Sequence, residues 1–278
     1  MFLLNTTIIP LWWWQVIALG FGVIIGSFLN VYIYRFHTGK SLNGKSHCLS
    51  CGVGLRWFDL FPLFSYVALR GKCRVCGCSI PARYFLVELL TGVLFALTPL
   101  LTVDVPLILL NWWLLSVLVV IFVYDLYHFI IPDKLTAILT ALVVVQVGYE
   151  YWLHPVDFGL LAAQFYTALA GSAFFFILWL YSGGRWLGFG DVKLAFPLGL
   201  LVGPAFVFSF VVLAFWIGAG VSLLILGYQK LNRGKAHLHL TGNGLTMKSA
   251  VPFAPFLIAS SLVILFTHLN VLALFSFM

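Results

Sequence analysis

The pattern of apolar residues along this chain consists of long uninterrupted runs rather than the alternation of a half-buried strand. Most of these runs approach the roughly 20 residues that a helix needs to cross about 30 Å of hydrocarbon. Lipid offers no hydrogen-bond partners to the backbone, so the runs are predicted to be transmembrane helices. The eight predicted spans are 11–34, 84–102, 106–125, 135–153, 158–181, 192–203, 205–228 and 251–275. The chain is therefore predicted to be an all-α membrane protein with about eight transmembrane helices.

Composition agrees with this prediction. Hydrophobic residues make up 63% of the chain and charged residues 8%, and the mean hydropathy of +1.09 excludes an ordinary soluble domain. The first run lacks a basic segment before it and a small-residue cleavage site after it, so it is predicted to stay as a span. The run 192–203 is too short to cross alone and is predicted to form a tight pair of crossings with 205–228.

The basic residues predict the topology. The chain has 15 Lys and Arg against 8 Asp and Glu, a formal net charge of +7. Basic residues favour cytoplasmic connections, which places both termini in the periplasm and predicts no nucleic-acid partner. Eight of the basic residues are Arg35, Lys40, Lys45, Arg56, Arg70, Lys72, Arg74 and Arg83. The other seven are Lys134, Arg185, Lys193, Lys230, Arg233, Lys235 and Lys248.

One polar segment, 36–83, carries all five cysteines and follows the predicted first span, 1–35. Two C-x-x-C pairs, each followed by Gly, are typical of a structural zinc site with four thiolate ligands. The predicted ligands are Cys48, Cys51, Cys73 and Cys76. The cytosol disfavours disulfides, and a segment with so few apolar residues would draw folding free energy from the metal. The remainder, 84–278, is predicted to form the polytopic domain.

Two other interpretations of the cysteines stay open. The thiols could be reduced and partly buried, or one pair could be redox-active. The fifth cysteine, Cys78, could replace Cys76 as the fourth ligand, although the spacing favours Cys76.

Ionisable residues at the edge of a span are candidate functional residues because their burial is costly. Four qualify: Glu88, Asp125, Asp133 and Asp191. Asp125 ends one predicted span and Asp191 lies at the start of another, on the same side of the membrane. Packing of these two spans against each other would bring the two carboxyl groups together. Two close carboxyls share a proton, one serving as base towards water and the other as acid towards a carbonyl, which suits peptide hydrolysis.

Helix capping competes with each of these catalytic hypotheses. Asp133 follows Pro132 at the start of a predicted span, and a cap is favoured for it over catalysis. Asp191 alone fits a cap and a catalytic residue equally well. His128 could tune Asp125 or bind a metal, but a single interfacial His more commonly does neither. The sequence shows no serine triad, H-E-x-x-H or Walker motif in a suitable context.

An ordered set of motifs resembles the bacterial type IV prepilin peptidases, which are intramembrane aspartyl proteases of the Gly-x-Gly-Asp type. The motifs run from Gly26–Arg35 through the paired cysteines to Pro81–Gly92, then Asp125 with Ile131-Pro132-Asp133, Gly188–Lys193 and Pro252–Phe256. Two residues depart from the family pattern: Leu49 stands where Pro is frequent, and Ala254 stands where Gly is usual.

The resemblance implies a fold and an activity. It implies cleavage of prepilins and pseudopilins after a Gly on the cytoplasmic side of the inner membrane, with Asp125 and Asp191 as the catalytic pair. It also implies N-methylation of the new first residue, commonly Phe, with S-adenosylmethionine as the methyl donor. The cysteine-bearing cytoplasmic region is implicated in that second activity.

Glu88 is the one candidate for cofactor binding, and two interpretations of it stay open. Its carboxylate could hold the methyl donor or the new amino group, or it could pair with Arg35 or Arg83. Two other functions compete with the protease: a proton or cation transporter that uses the interfacial aspartates, and an assembly factor that recruits partners through the zinc segment. The first would need acids at several depths, and the second gives the paired aspartates no role.

Overall fold

The structure is a computed structural model that describes residues 10–36, 44, 46–155, 157–231 and 251–275. Five of the basic residues behind the topology prediction lie outside this part of the chain: Lys40, Lys45, Arg233, Lys235 and Lys248. The orientation of the termini remains a prediction.

The described residues form ten α-helices and no strands, which confirms the all-α prediction. The helices are α1 (Leu11–Arg35), α2 (Phe64–Ala68), α3 (Arg83–Leu97), α4 (Val105–His128), α5 (Asp133–Leu153), α6 (Phe158–Ser182), α7 (Phe189–Val202), α8 (Val207–Leu231), α9 (Ala254–Thr267) and α10 (Val271–Phe275). Short 3₁₀ turns lie at Trp57–Leu60 and Thr98–Leu100.

Six helices among the described residues are long and apolar enough to cross a bilayer, so the chain is an integral membrane protein. The sixth and eighth predicted spans correspond to α7 and α9, which have 14 residues each. The predicted last span is broken at His268, whose φ of 51° ends α9 before α10 begins. Apolar residues continue on both sides of this break, so hydropathy alone does not indicate it.

The chain divides into two compact units, Met1–Val120 and Ile121–Met278. In the first unit, α1 packs closely along α3. A Cβ added to Gly22 would lie 2.7 Å from the Thr91 carbonyl oxygen, and one added to Gly26 would lie 2.8 Å from the Glu88 Cα. Small residues four apart let two membrane helices approach to backbone contact. This contact fixes Glu88 against α1.

Gly26→Ala is expected to lower the stability of the first unit by about 1–3 kcal/mol, because the new methyl group would push α3 away from α1. Gly20→Ala on the same helix is the matched control, since a Cβ at Gly20 has no heavy atom within 4 Å. Thermal unfolding of the purified variants in detergent measures the difference. Equal unfolding temperatures for the two variants would contradict the close helix contact.

In the second unit, α7 is held by side chains of α6. The Ser172 hydroxyl donates to the Val192 carbonyl at 2.8 Å, and the Gln164 amide donates to the Leu200 carbonyl at 2.8 Å. Gly199 allows α7 to approach the backbone of Ala168. Pro197 lies inside α7 and has no N–H, so the helix lacks one of its backbone hydrogen bonds. The hydrogen bonds from Ser172 and Gln164 help to hold this short helix in place.

Candidate active site and metal centre

Asp125 lies in the last turn of α4. The backbone of Phe129 adopts a φ of 55° and donates its N–H to the Asp125 carbonyl at 2.9 Å, which ends the helix just after the carboxylate. The Asp125 side chain is buried, with 4% of the residue exposed. Its carboxylate accepts a hydrogen bond from the backbone N–H of Ala254.

Ala254, the first residue of α9, is itself fully buried. An aromatic cluster surrounds its neighbour Phe253, whose ring lies 5.2 Å from that of Phe215 and 5.9 Å from that of Phe175. The cluster therefore anchors the start of α9, and the peptide N–H that reaches Asp125 is held in place. The sequence contains this segment as a motif, but the hydrogen bond itself depends on long-range packing.

Asp191 is the third residue of α7. Its Oδ2 accepts the Gly188 N–H at 3.0 Å, and its own N–H donates to the Gly188 carbonyl at 3.1 Å. The residue is buried, with 6% exposed. One carboxylate oxygen thus caps α7 and the other stays available, so the capping and catalytic interpretations of Asp191 are compatible.

The two carboxyl groups interact electrostatically with each other. In the described structure, Asp125 Oδ2 and Asp191 Oδ1 are both buried oxygens without a hydrogen-bond partner. Buried polar atoms in folded proteins are nearly always satisfied, so such an orphaned pair is typical of a place where water or substrate binds. Each aspartate therefore has one oxygen held by the backbone and one oxygen open to chemistry.

Asp133 is not the cap of α5, as the sequence favoured, because Pro132 occupies the N-cap position. The Asp133 carboxylate instead forms a 2.7 Å ion pair with Lys193 on α7. Nearby, a Cβ added to Gly190 would lie 3.0 Å from the Ile131 side chain, so this glycine permits close packing rather than a bend. These contacts join the loop after Asp125 to the helix that carries Asp191.

His128 is exposed, and its ring lies 4.4 Å from that of Tyr124. This ring contact gives the histidine a packing partner within α4.

The cysteine segment forms two knuckles with the same backbone pattern. In the first, the Gly52 N–H donates to the Cys48 carbonyl at 2.9 Å, and in the second the Gly77 N–H donates to the Cys73 carbonyl at 2.9 Å. Gly52 and Gly77 adopt φ values of 73° and 68°, which explains why glycine follows each pair. The repeated turn gives Cys48 and Cys73, the first cysteine of each pair, the same backbone surroundings.

Backbone donors favour the thiolate at the first cysteine of each knuckle. The N–H groups of Cys51 and Ser50 lower the pKa of Cys48 to about 6. The N–H groups of Cys76 and Val75 likewise lower the pKa of Cys73. Thiolate is the form that binds metal, so these backbones are prepared for an ion.

Four thiols have their sulfur atoms within 4.8 Å of one another: Cys48, Cys73, Cys76 and Cys78. The Cys48 sulfur lies 3.8 Å from that of Cys76 and 3.5 Å from that of Cys78. Tetrahedral zinc with bonds of about 2.3 Å separates its sulfur ligands by about 3.8 Å. The chemistry of the four thiols and these two distances fit a zinc ion, and three of the four predicted ligands belong to the group.

The fourth predicted ligand, Cys51, lies outside this group but contacts it, since its side chain hydrogen-bonds to Cys48 and Cys76. Cys78 takes the additional place because the second knuckle turns back after Gly77 and brings Cys78 beside Cys76, with the sulfurs 3.1 Å apart. The assignment of Cys51 as a ligand remains a prediction.

Glu88 lies on α3. The ion pairs of the described residues join Arg74 to Asp59 and Lys193 to Asp133, and neither includes Glu88. Binding of a cofactor or an amino group by Glu88 remains a prediction. Its Oε2 accepts the Leu63 N–H at 2.9 Å instead. Glu88 and Asn30 line a cavity of about 780 Å³ within the first unit.

These features define a class: an integral membrane protein with a buried aspartate pair and a cluster of four thiols that could hold a metal ion. Residues 21–101 match the family model of the bacterial peptidase A24 N-terminal domain, and residues 112–223 match that of the type IV leader peptidase family.

Curated relatives support the same conclusion. The chain is 31% identical to a prepilin leader peptidase/N-methyltransferase of Burkholderia pseudomallei (strain 1026b), over 90% of this chain and 84% of the relative. It is 28% identical to an enzyme of the same name from Dichelobacter nodosus, over 85% of this chain and 86% of the relative. It is 40% identical to an enzyme of the same name from Myxococcus xanthus (strain DK1622), over 41% of this chain and 35% of the relative. No solved structure matches. The chain belongs to the prepilin leader peptidase/N-methyltransferase family, and it is an enzyme of type IV prepilin processing.

Proposed function

We propose that this protein removes the leader peptides of type IV prepilins and pseudopilins through Asp125 and Asp191, cutting after a Gly on the cytoplasmic side of the inner membrane. The observation that supports this most directly is the buried carboxyl pair, each member of which has one oxygen without a partner in the described structure. A carboxyl pair of this kind can activate water and protonate a carbonyl at the same site.

The proposed reaction uses the two carboxyl groups in opposite protonation states. The ionised carboxylate accepts a proton from water as the water oxygen bonds to the carbonyl carbon of the leader Gly. The protonated carboxyl donates to the carbonyl oxygen, which becomes a hydroxyl. The carboxyl that took the proton from water passes it to the amide nitrogen, and the C–N bond breaks. One hydroxyl of the intermediate returns its proton to the other carboxylate as the C=O bond re-forms, which leaves a new carboxylic acid and a new amino group.

Backbone hydrogen bonds orient both groups for this exchange. The Ala254 N–H restrains Asp125 and the Gly188 N–H restrains Asp191. Because each carboxylate is fixed by a backbone donor, little reorganisation is needed when the proton moves. The apolar stem of the substrate would enter from the bilayer, and its basic leader would stay on the cytoplasmic side.

We also propose that the protein N-methylates the new first residue with S-adenosylmethionine. The bound donor supplies an electrophilic methyl group. The first unit contains the features that support this step, namely the cavity of about 780 Å³ lined by Glu88, Asn30 and aromatic side chains. Such a volume suits a small-molecule ligand. Zinc at the thiol cluster would hold one wall of this cavity, since Cys48, Cys73 and Cys78 line it as well.

The competing function is transport of protons or cations by Asp125, Asp133 and Asp191. A transporter needs ionisable groups along a path through the membrane. Asp133, the third acid of that hypothesis, is exposed and already paired with Lys193, which favours the protease.

The proposal is tested by incubating the purified protein in detergent with a full-length prepilin. We expect a faster-migrating product on a gel and, by mass spectrometry, a new N-terminus directly after the leader Gly. Adding S-adenosylmethionine is expected to increase the product mass by one methyl group. An unprocessed prepilin in the presence of folded, zinc-loaded protein would contradict the proposed function.

A further inference from the structure

The short helix α2 of the cysteine segment has two different faces. The side chains that line the cavity from one face are Ser65, Tyr66 and Leu69. Phe64 and Val67 share the opposite face at helical spacing, and both are exposed. The ring of Phe61, which is exposed as well, lies 6.1 Å from that of Phe64. Phe61, Phe64 and Val67 therefore form an apolar patch on the side of α2 away from the cavity.

The start of α3 fixes the depth of its neighbours in the membrane. The candidate span Arg83–Leu100 has 18 residues, which is about 27 Å of helix, whereas a hydrocarbon core is about 30 Å thick. A span this short must use its whole length, so Arg83 lies at the edge of the hydrocarbon. The exposed apolar side chains of α3 recur at helical spacing and are Leu86, Leu89, Leu90 and Val93. This stripe is the surface of α3 that faces lipid.

Two contacts hold α2 beside the first turns of α3. The Leu63 N–H donates to Glu88 Oε2 at 2.9 Å, and Glu88 lies roughly 7.5 Å along the helix from Arg83. The ring of Tyr66 packs against that of Phe85, with centroids 5.3 Å apart. Helical side chains lean towards the N-terminus of their helix, so α2 lies between the levels of Arg83 and Glu88. This level is the boundary between the lipid headgroups and the hydrocarbon.

The contact between α1 and α3 gives the same depth independently. A Cβ added to Gly26 would lie 2.8 Å from the Glu88 Cα, so these two residues are at one level. Gly26 lies roughly 13 Å along α1 from its last residue, Arg35. The 25 residues of α1 exceed the hydrocarbon thickness by only about 7 Å. Even with all of this excess on the side of Arg35, Gly26 and Glu88 lie inside the hydrocarbon.

Basic residues follow the apolar patch along the chain. Arg70 and Lys72 come shortly after the end of α2, and both are exposed. Neither belongs to the two ion pairs found in the described residues, and neither lines the cavity. Lys and Arg side chains beside a membrane attract anionic lipid headgroups. Aromatic and aliphatic side chains next to cations, at this level, are typical of a segment that lies in the membrane interface.

We propose that residues 61–72 dock the cysteine segment on the lipid bilayer. The apolar patch inserts into the leaflet that surrounds the start of α3, and Arg70 and Lys72 contact the headgroups of anionic phospholipids. The two faces of α2 then have separate roles, since one lines the cavity and the other fixes how the segment sits on the membrane. This inference goes beyond the proposed cleavage and methylation and depends on neither.

The depth of α2 favours lipid over a protein partner as the occupant of the patch. The stripe on α3 already faces lipid at this level, and the patch continues that apolar surface towards the headgroups. The apolar stem of a substrate and a second copy of this chain are the other occupants with suitable chemistry, and the experiment distinguishes them from lipid.

Photo-crosslinking of the full-length, zinc-loaded protein in lipid nanodiscs tests the proposal. The nanodiscs contain phosphatidylcholine and phosphatidylglycerol in equal parts. p-Benzoylphenylalanine, which reacts with nearby C–H bonds on illumination, is placed at Phe64, and mass spectrometry identifies what it captures. Leu90 on the lipid-facing stripe is the positive control. Val75 in the second knuckle is the matched control, because it is apolar and 65% exposed, against 71% for Phe64.

We expect Phe64 to give phospholipid adducts in a yield similar to that of Leu90. The yield should exceed that of Val75 by about 10- to 100-fold, the preference of one large apolar side chain for an apolar surround. Phosphatidylglycerol should exceed its share of the bilayer among the Phe64 adducts. Combining Arg70→Gln with Lys72→Gln should return phosphatidylglycerol to that share while Phe64 still captures lipid.

Three results would overturn the proposal or a part of it. A lipid yield at Phe64 no higher than at Val75 would show that the patch faces water. Adducts with a second copy of the chain, or with a prepilin added to the nanodiscs, in place of lipid would assign the patch to a protein partner. An unchanged phosphatidylglycerol share in the double variant would exclude headgroup contact by Arg70 and Lys72. Unfolding temperatures of the labelled proteins check that each one keeps its fold.

Discussion

Replacing either Asp125 or Asp191 by Asn is expected to abolish leader cleavage. Asn keeps the size of the side chain but can neither take a proton from water nor donate one to a carbonyl as a carboxylic acid does. Loss of a general acid or base lowers rates by roughly 10²- to 10⁴-fold. Gel-shift cleavage of a co-expressed prepilin, at matched levels of each variant in the membrane, measures the effect.

Asp133→Asn is the matched control for this experiment. It makes the same chemical change on the same loop, but Asp133 is exposed and contributes one surface ion pair to Lys193. Such pairs contribute about 0–1 kcal/mol, so cleavage should persist. The double variant of Asp125 and Asp191 should be no worse than either single variant, because the two groups act as one unit. Complete processing by both single variants would instead favour the transporter and assembly hypotheses.

The second large effect concerns the metal centre. Cys48→Ser is expected to remove bound zinc, because Cys48 belongs both to the predicted ligand set and to the cluster found in the structure. Structural zinc contributes on the order of 10 kcal/mol to small metal domains, so the cysteine segment should lose its fold. Zinc stoichiometry by mass spectrometry and limited proteolysis of residues 46–82 measure the two consequences.

Cys51→Ser and Cys78→Ser complete the zinc experiment. Each variant removes one of the five thiols of the cysteine segment. The zinc content should fall only in the variant whose replaced cysteine is a zinc ligand. Stoichiometric zinc in Cys48→Ser would show that the metal does not bind at this cluster.

The sequence predicted the catalytic candidates because acids are rare in this chain and costly in a membrane. That argument needs only the position of each carboxyl relative to an apolar run, and it selected four acids: Glu88, Asp125, Asp133 and Asp191. Asp125 and Asp191 were singled out as a pair by the assumption that their spans pack together and by the family resemblance. It did not predict which groups restrain them. The Ala254 N–H reaches Asp125 because the Phe253 ring packs against α6 and α8, and such long-range packing leaves no local pattern.

Local patterns also failed where a backbone conformation decides the contact. Pairing with Arg35 or Arg83 was one of the two interpretations of Glu88 that the sequence left open, whereas the structure shows a hydrogen bond from the N–H of Leu63, a residue with an unusual positive φ. Similarly, C-x-x-C spacing identified the knuckles but not the proximity of Cys78, which follows from the turn at Gly77. The break at His268 was hidden by apolar residues on both sides.

In the first unit, the pairing of α1 with α3 through their close glycine contact is one source of stability, and the fold of the cysteine segment is another. Zinc bound at the cysteine cluster would shorten the flexible connection between these helices, but halving the length of such a connection changes the free-energy cost of closing it by only about 0.6 kcal/mol. Pairing of the two helices is therefore nearly independent of the metal. Loss of zinc from the cysteine cluster would therefore disturb the wall of the cavity that Cys48, Cys73 and Cys78 form and leave the pairing of α1 with α3 in place.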